Sequence, residues 1–467
     1  MNLNENTSCN YILAGADSFC GLTDMFIEKY QNNHFSRDKM NNFLSCTVDK
    51  FLYSFGSFLN YKTKTFKDNY NEKVVREVDK MVNNPFMKDI KLYIDSGGFQ
   101  ISMGAVTTDK MPLFIDLYHE FINNNYTKFS HAFALDIPPG PGSASIFSSY
   151  KQIEDLNRLS YQTSAKLDQN IKDKMIYIHH FRTPSLYDMY TKLLFDEDLG
   201  DGFSYFGTGG IVANMATDIV MPLIIYSIPL SSITKYNKQK KNKSFGFHVL
   251  GGANYIDVIY HKLFSHHIKK VHDIDVKITY DSSSIFKGLS RGKIIPVFKD
   301  NGDLCRMDVR SFGLHRKFEK DVTIEDKIYL LVNEISNVYN FKELNKKDDP
   351  IYDIERNTFS RSTSMYLFCY MLYIYRQIET VAEDFVTEVY KLYEEGKIEE
   401  FDREFYNMYK KFNGGKSSKK QKAKSSSICK SLDILTNLDE DYNKYVINKF
   451  MHSDDMSTMV NDGVLTF

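Results

Sequence analysis

The chain has 467 residues, 42% of them hydrophobic, with 59 Lys and Arg against 60 Asp and Glu and a net charge of −1. So even a balance excludes a uniformly basic coat of the kind that binds nucleic acid everywhere, and leaves room for a local basic patch. The length allows more than one domain, although one α/β barrel uses about 250 residues by itself.

Short apolar segments recur along the first 300 residues, and eight of them read as strands. In chain order they are "YILAGAD" (11–17), "FLYSFGSF" (51–58), "KLYIDSGG" (91–98), "HAFALDIP" (131–138), "MIYIHHF" (175–181), "SYFGTGGI" (204–211), "FGFHVLGG" (245–252) and "KITYDSSS" (277–284). Most are near-continuous apolar runs, as expected of strands covered on both faces. Amphipathic stretches lie between them. "PLFIDLYHEFINNN" carries Phe114, Leu117, Tyr118 and Phe121 on one helical face. Eight β-then-α units predict a (β/α)8 TIM-type barrel over residues 1–320. An open doubly wound sheet has a similar count, but no Gly-x-Gly-x-x-Gly turn supports it.

Beyond residue 320 the pattern becomes helical, so residues 321–467 are expected to form a helical C-terminal region. Thr323 is a candidate N-cap, with Asp326 three residues later. "SMYLFCYMLYIYRQIETVAEDFVTEVYKLYEE" and "EEFDREFYNMYKKF" predict two further helices. The Gly, Ser and Lys tract at 413–427 reads as a flexible linker. The lysine-rich "KYNKQKKNK" (235–243) precedes strand seven and reads as a solvated loop on the face opposite the strand ends.

The strand ends carry the chemistry. Strand three ends at Asp95, strand four at Asp136, strand five at His179 and His180. Strands six and seven end in Gly209 and Gly210, and in Gly251 and Gly252, and strand eight ends at Asp281. In a barrel these ends meet on one face, where such enzymes keep their active sites. Each alone has a plain reading as a turn residue. Together they put three carboxylates, two imidazoles and several bare backbone turns at one mouth.

Cys9, Cys20, Cys46, Cys305, Cys369 and Cys429 are too dispersed for any Cys-x-x-Cys pair and read as reduced structural thiols. The N-terminus lacks the basic start and apolar core of a signal peptide. The longest apolar run, Met365 to Tyr375, is too short to span a bilayer. These features predict a cytoplasmic protein (in the host cytoplasm if viral) with no membrane partner. The absence of Trp, with frequent Lys and Asn, suggests an AT-rich bacterial or viral genome.

"DSGGFQ" (95–100), "ALDIPP" (134–139), "GTGGIVAN" (207–214), "HVLGG" (248–252) and "YDSSS" (280–284) occur in an order and spacing that resemble the tRNA-guanine transglycosylase superfamily. The resemblance covers roughly residues 11 to 295, and "DSGGFQ" is its most specific element. It implies an exchange of guanine in a nucleic acid for a 7-deazaguanine. Asp281 matches the nucleophile that holds the sugar as a covalent ester. Asp95 matches the general acid/base. Asp136 matches the residue that reads the guanine edge, and Ser96 falls with the substrate-binding group. Phe99 and Leu250 match the pair that sandwich the purine. Gly209 and Gly210 match the turn that brings backbone amides to the base.

The chain also departs from that family. The Cys-x-Cys-x-x-Cys and His zinc site is reduced to an isolated Cys305 and His315, so neither zinc nor any other cofactor is expected. His179 or His180 stands where the family has a Gln facing the base. The anticodon-holding Pro-Thr-Arg pattern is replaced by "SSSIFKGLSRGK", in which Lys287, Arg291 and Lys293 remain to hold phosphates. These departures resemble the DNA-guanine transglycosylase branch (the DpdA type, which includes phage members). The resemblance therefore implies DNA as the polymer partner, with tRNA as the alternative, and a preQ0-like incoming base. A binding-only partner subunit is the rival from another class, and retention of Asp95 and Asp281 argues against it. The lysine-rich stretch at 410–427 is a second candidate grip on phosphates.

Overall fold

Each of the eight apolar segments forms a strand, and the eight pair in parallel to close a barrel in the order β1 to β8. They are β1 (Tyr11–Ala14), β2 (Lys50–Ser54), β3 (Lys91–Asp95), β4 (His131–Phe133), β5 (Met175–Ile178), β6 (Tyr205–Thr208), β7 (Ser244–Val249) and β8 (Asp275–Ser282). The structure, a computed structural model, describes residues 10–15, 20, 49–60, 62–67, 69–84, 87, 90–139, 146–181, 183–209, 220–252, 255–282, 295–298, 304–307, 352–353, 358–359, 361–412 and 425–450. β8 closes the ring on β1, with Asp281 opposite Ile12.

Side chains alternate along a strand, and both sets are buried here. Ile12, Leu52, Tyr93, Phe133, Ile176, Ile178 and Tyr205 form the barrel interior. Their neighbours Tyr11, Leu13, Phe51, Tyr53, Leu92 and Ile94 join the larger core under the helices. Covering both faces is the physical reason that the strands read as unbroken apolar runs.

Helices α1 (Tyr70–Val82), α2 (Met111–Asn125), α3 (Tyr150–Ala165), α4 (Pro184–Phe195), α5 (Val220–Gln239) and α6 (Tyr255–His272) follow β2 to β7 in turn. Two starts are capped. Ser149 accepts from the Gln152 amide, and Thr183 accepts from the Leu186 amide with Pro184 in the first turn. On α2 the buried stripe is Phe114, Ile115, Tyr118, Phe121 and Ile122, while Leu117 lies half-buried at its edge.

The C-terminal helices are α7 (Arg361–Glu394), α8 (Ile398–Phe412), α9 (Ser425–Asn437) and α10 (Glu440–Phe450). α7 packs along α6, α9 along α5, and α10 on α4 and α5. One apolar cluster runs from the strands through Tyr375, Ile378, Phe401, Leu432 and Ile447. A boundary at residue 320 thus marks a change of sequence pattern, not a gap between two cores. Ser425 to Ser427 belong to the first turn of α9, where serine is well tolerated, and not to a linker. The 235–243 stretch is helical through Gln239, because Tyr236 and Asn237 are buried; the solvated part begins at Lys238. The helix expected from Thr323 and the tract at 413–424 lie outside the described residues. Among the described residues no helix is long and apolar enough to cross a membrane.

α7 is tied to the seam of the barrel. Glu379 accepts the Asn10 amide at 2.9 and 3.2 Å and the Tyr280 hydroxyl at 2.6 Å, and Tyr375 stacks on Tyr11 at 4.5 Å. Glu379→Ala leaves a backbone amide and a buried hydroxyl without their acceptor. It should cost about 3 kcal/mol in urea unfolding, whereas Glu379→Gln, which keeps an acceptor oxygen, should cost well under half as much.

Candidate active site

The carboxyl ends of the strands converge as their order requires. Asp95 ends β3 directly beside Ser54 of β2, and the Ser54 hydroxyl donates to Asp95 Oδ2 at 2.6 Å. Gln100 Nε2 in turn donates to Ser54 Oγ at 3.3 Å. After Asp95 the chain turns at once into a short helix, Gly98–Ser102, with Gly97 in the left-handed region at φ 89°. A Cβ on Gly98 would fall 2.7 Å from Asp136 Oδ1, so the turn is bare because a second carboxylate lies against it. Phe99, the next residue, is 48% exposed, an unusual place for a large apolar ring and a suitable one for a flat ligand.

Asp136 follows β4 and is buried. Ser96 Oγ donates to its Oδ1 at 3.2 Å, and His180 Nε2 meets its Oδ2 at 2.6 Å. The backbone that carries it is clamped by α3. Asn157 Oδ1 accepts the Ile137 amide at 2.9 Å, Asn157 Nδ2 donates to the Ile137 carbonyl at 2.9 Å, and Ser160 Oγ donates to the Leu135 carbonyl at 2.7 Å.

The two adjacent histidines separate. His180 faces the barrel mouth. His179 is fully buried against Tyr187 and Tyr190 of α4, and neither of its ring nitrogens has a hydrogen-bond partner among the described residues. Burial, and then His180 beside it, push its pKa down to about 3. Of the two, only His180 is placed to meet a ligand. Gly209 sits between His180 and Leu250: a Cβ there would lie 2.8 Å from His180 Cε1 and 3.2 Å from Leu250 Cδ1.

Asp281 is buried on β8. The Gly251 amide donates to its Oδ1 at 2.8 Å, and His248 Nε2 meets the same oxygen at 3.2 Å. His248 Nδ1 is 2.9 Å from Thr279 Oγ1, which hydrogen-bonds Tyr205, which hydrogen-bonds Tyr93. With the proton on Nε2, every donor in this column points toward Asp281. Among the described residues both bonds to Asp281 go to Oδ1, leaving Oδ2 for other partners.

Gly210, Lys287, Arg291 and Lys293 lie outside the described residues, as does His315; Cys305 lies on the strand Leu304–Met307. Among the described residues no group of three His, Cys, Asp or Glu side chains is arranged to hold a metal ion. Ser54, Asn157 and His248 are absent from the sequence reading as site residues, and Gly251 appears there only as a bare strand end. Of the three, His248 left a trace through its place in "HVLGG", two residues before Leu250.

Asp95 is electrostatically the odd one. Burial first, and then the charges of Asp136 and Asp281, raise its pKa to about 6, against the lowering effect of Ser54 and the Gly97 amide. The folded state therefore favours the protonated acid, and stability is lost as pH rises through 6. A shift from 3.8 to about 6 corresponds to about 3 kcal/mol. Asp95→Asn should thus match the wild type in stability near pH 4 and exceed it by up to about 3 kcal/mol at pH 8. Denaturant melts across that range provide the check.

Neither protein-family models nor curated protein sequences match this chain.

Proposed function

We propose that the protein is a nucleic-acid guanine transglycosylase that replaces guanine in DNA with a 7-deazaguanine. The observation that carries the reading is the convergence of Asp95, Asp136 and Asp281 on one barrel rim, with three different sets of partners. Family resemblance in the motifs supports the reaction class, and the different surroundings of the three carboxylates support giving each a separate role.

In this reading Asp281 Oδ2 attacks the anomeric carbon of the target nucleotide. The glycosidic bond breaks, and its electron pair leaves with guanine. Asp95, whose raised pKa leaves a protonated fraction near neutrality, gives its proton to the departing base. Asp95 is then the carboxylate that removes a proton from the incoming 7-deazaguanine, whose nitrogen attacks the same carbon. The ester bond breaks and the Asp281 carboxylate is restored. Asp136, oriented by Ser96 and His180, reads the hydrogen-bonding edge of the base. Exposed Phe99 supports one face of the purine, and Leu250 stands on the opposite side of the mouth. The target nucleotide must leave the helical stack for its anomeric carbon to reach a rim of this kind. The preference for DNA rests on the missing anticodon-reading pattern and on the cationic residues Lys287, Arg291 and Lys293 that follow the proposed nucleophile.

Three measurements test this. Asp281→Asn should abolish both base exchange and any denaturant-stable protein–nucleic acid adduct; an adduct of undiminished yield would remove Asp281 from the role. His248→Phe should lower kcat about tenfold with little change in KM, and His248→Gln, which retains a donor, should recover part of it. Labelled guanine or preQ0 should enter DNA and not tRNA. Incorporation into tRNA alone would replace the polymer and keep the chemistry, and incorporation into neither would favour a binding role.

A further inference from the structure

At the N-terminal end of the barrel, remote from the carboxylate rim, lies a cavity of about 780 Å3. Three neighbouring parts of the ring place a lysine on it: Lys50 at the start of β2, Lys91 at the start of β3, and Lys277 near the start of β8. Lys50 and Lys91 stand directly opposite one another in register. Like charges so placed repel.

Among the described residues, Lys91 and Lys277 on this floor have no close carboxylate to themselves. Asp49 is shared, at 2.5 Å from Lys50 and 3.5 Å from Lys91. Lys277 makes no ion pair among the described residues. Asp49 and Glu379 favour its charge, but burial and then Lys50 and Lys91 outweigh them and lower its pKa. At the rim the situation differs: Lys262 is paired with Glu383 at 2.6 Å and Lys269 with Asp275 at 3.0 Å. The excess positive charge is therefore concentrated on the floor. His131 adds none there, since burial and the surrounding lysines hold its pKa down to about 4. Ser130, Ser204 and Ser244 add hydroxyl donors to the same wall.

Among the described residues this recess is lined by more ammonium groups and hydroxyls than carboxylates, a lining suited to an anion. Its volume lies within the range of pockets that enclose small ligands, about 300–1,000 Å3. We propose that this cavity binds a phosphate-bearing small molecule, with the phosphate held between Lys91 and Lys277, above the pair that buried Lys50 makes with Asp49. The inner apolar layer of Leu52, Phe133, Ile176 and Ile178 stands between it and the carboxylate rim, so the site is independent of the base-exchange reading.

The test is calorimetric titration of the full chain with pyrophosphate at constant ionic strength. Saturable binding near one equivalent is expected, unchanged in Asp281→Asn, weakened at least tenfold in Lys277→Gln and in Lys91→Gln, and retained in Lys277→Arg. Lys91 is exposed and Lys277 only partly covered, and circular dichroism melts would establish that the variants fold. Absence of saturable binding by the wild type would overturn the proposal. So would undiminished binding in both glutamine variants, which would place the anion elsewhere.

Discussion

Everything at the rim depends on closure of the sheet. Asp281 and Asp95 belong to opposite ends of the barrel sequence, and only the pairing of β8 with β1 brings them to the same mouth. Parallel strands cannot be joined by tight turns, so each must be separated from the next by a helix or long loop. That requirement spreads the site from Ser54 to Asp281. It also points every strand end the same way, which is why residues so far apart share one electrostatic environment.

The barrel was legible because its strands are buried on both faces. Such strands leave short apolar blocks, and eight of them were found at their places in the sequence. Their carboxyl ends were legible for the same reason: an acid that ends an apolar block stands out, as Asp95 does after Leu92, Tyr93 and Ile94. What the sequence hid was pairing across the ring. Ser54 is an ordinary serine until β2 lies beside β3. Asn157 is one more polar residue on a helix until α3 lies against the turn after β4. The two histidines were separable in principle, since Ile176, Ile178 and His180 share one parity of β5 and His179 the other. His248 resisted because a lone histidine in an apolar strand is as easily a core residue as a site residue.

Three carboxylates on one rim repel, and the structure treats them unequally. Asp136 has a serine and an imidazole; Asp281 has a backbone amide and an imidazole. Asp95 receives a serine hydroxyl and a backbone amide, and these are too little against burial and two neighbouring charges. The raised pKa thereby falls on the group that leads into the glycine turn and Phe99. A carboxyl that titrates near 6 can both give and take a proton close to neutrality, which is what a base exchange with retention asks of one residue in its two halves. The proposed nucleophile is held differently: the Gly251 amide and His248 both meet its Oδ1, and the hydrogen bonds behind His248 reach back through Thr279 and Tyr205 to Tyr93, at the border of the lysine cavity.

The seam that places Asp281 is joined to the far end of the chain. β1 is four residues long and pairs with β8 at three positions. α7 packs onto it: Tyr375 stacks on Tyr11, and Glu379 bridges the start of β1 to Tyr280, the residue before Asp281. A shift of this helix would therefore be transmitted to the carboxylate through one covalent bond's worth of strand. On the proposed reading α7 then bears on the chemistry without touching a ligand. It braces the strand that carries Asp281, and a displacement of even about 1 Å at a reacting group can cost on the order of a hundredfold in rate.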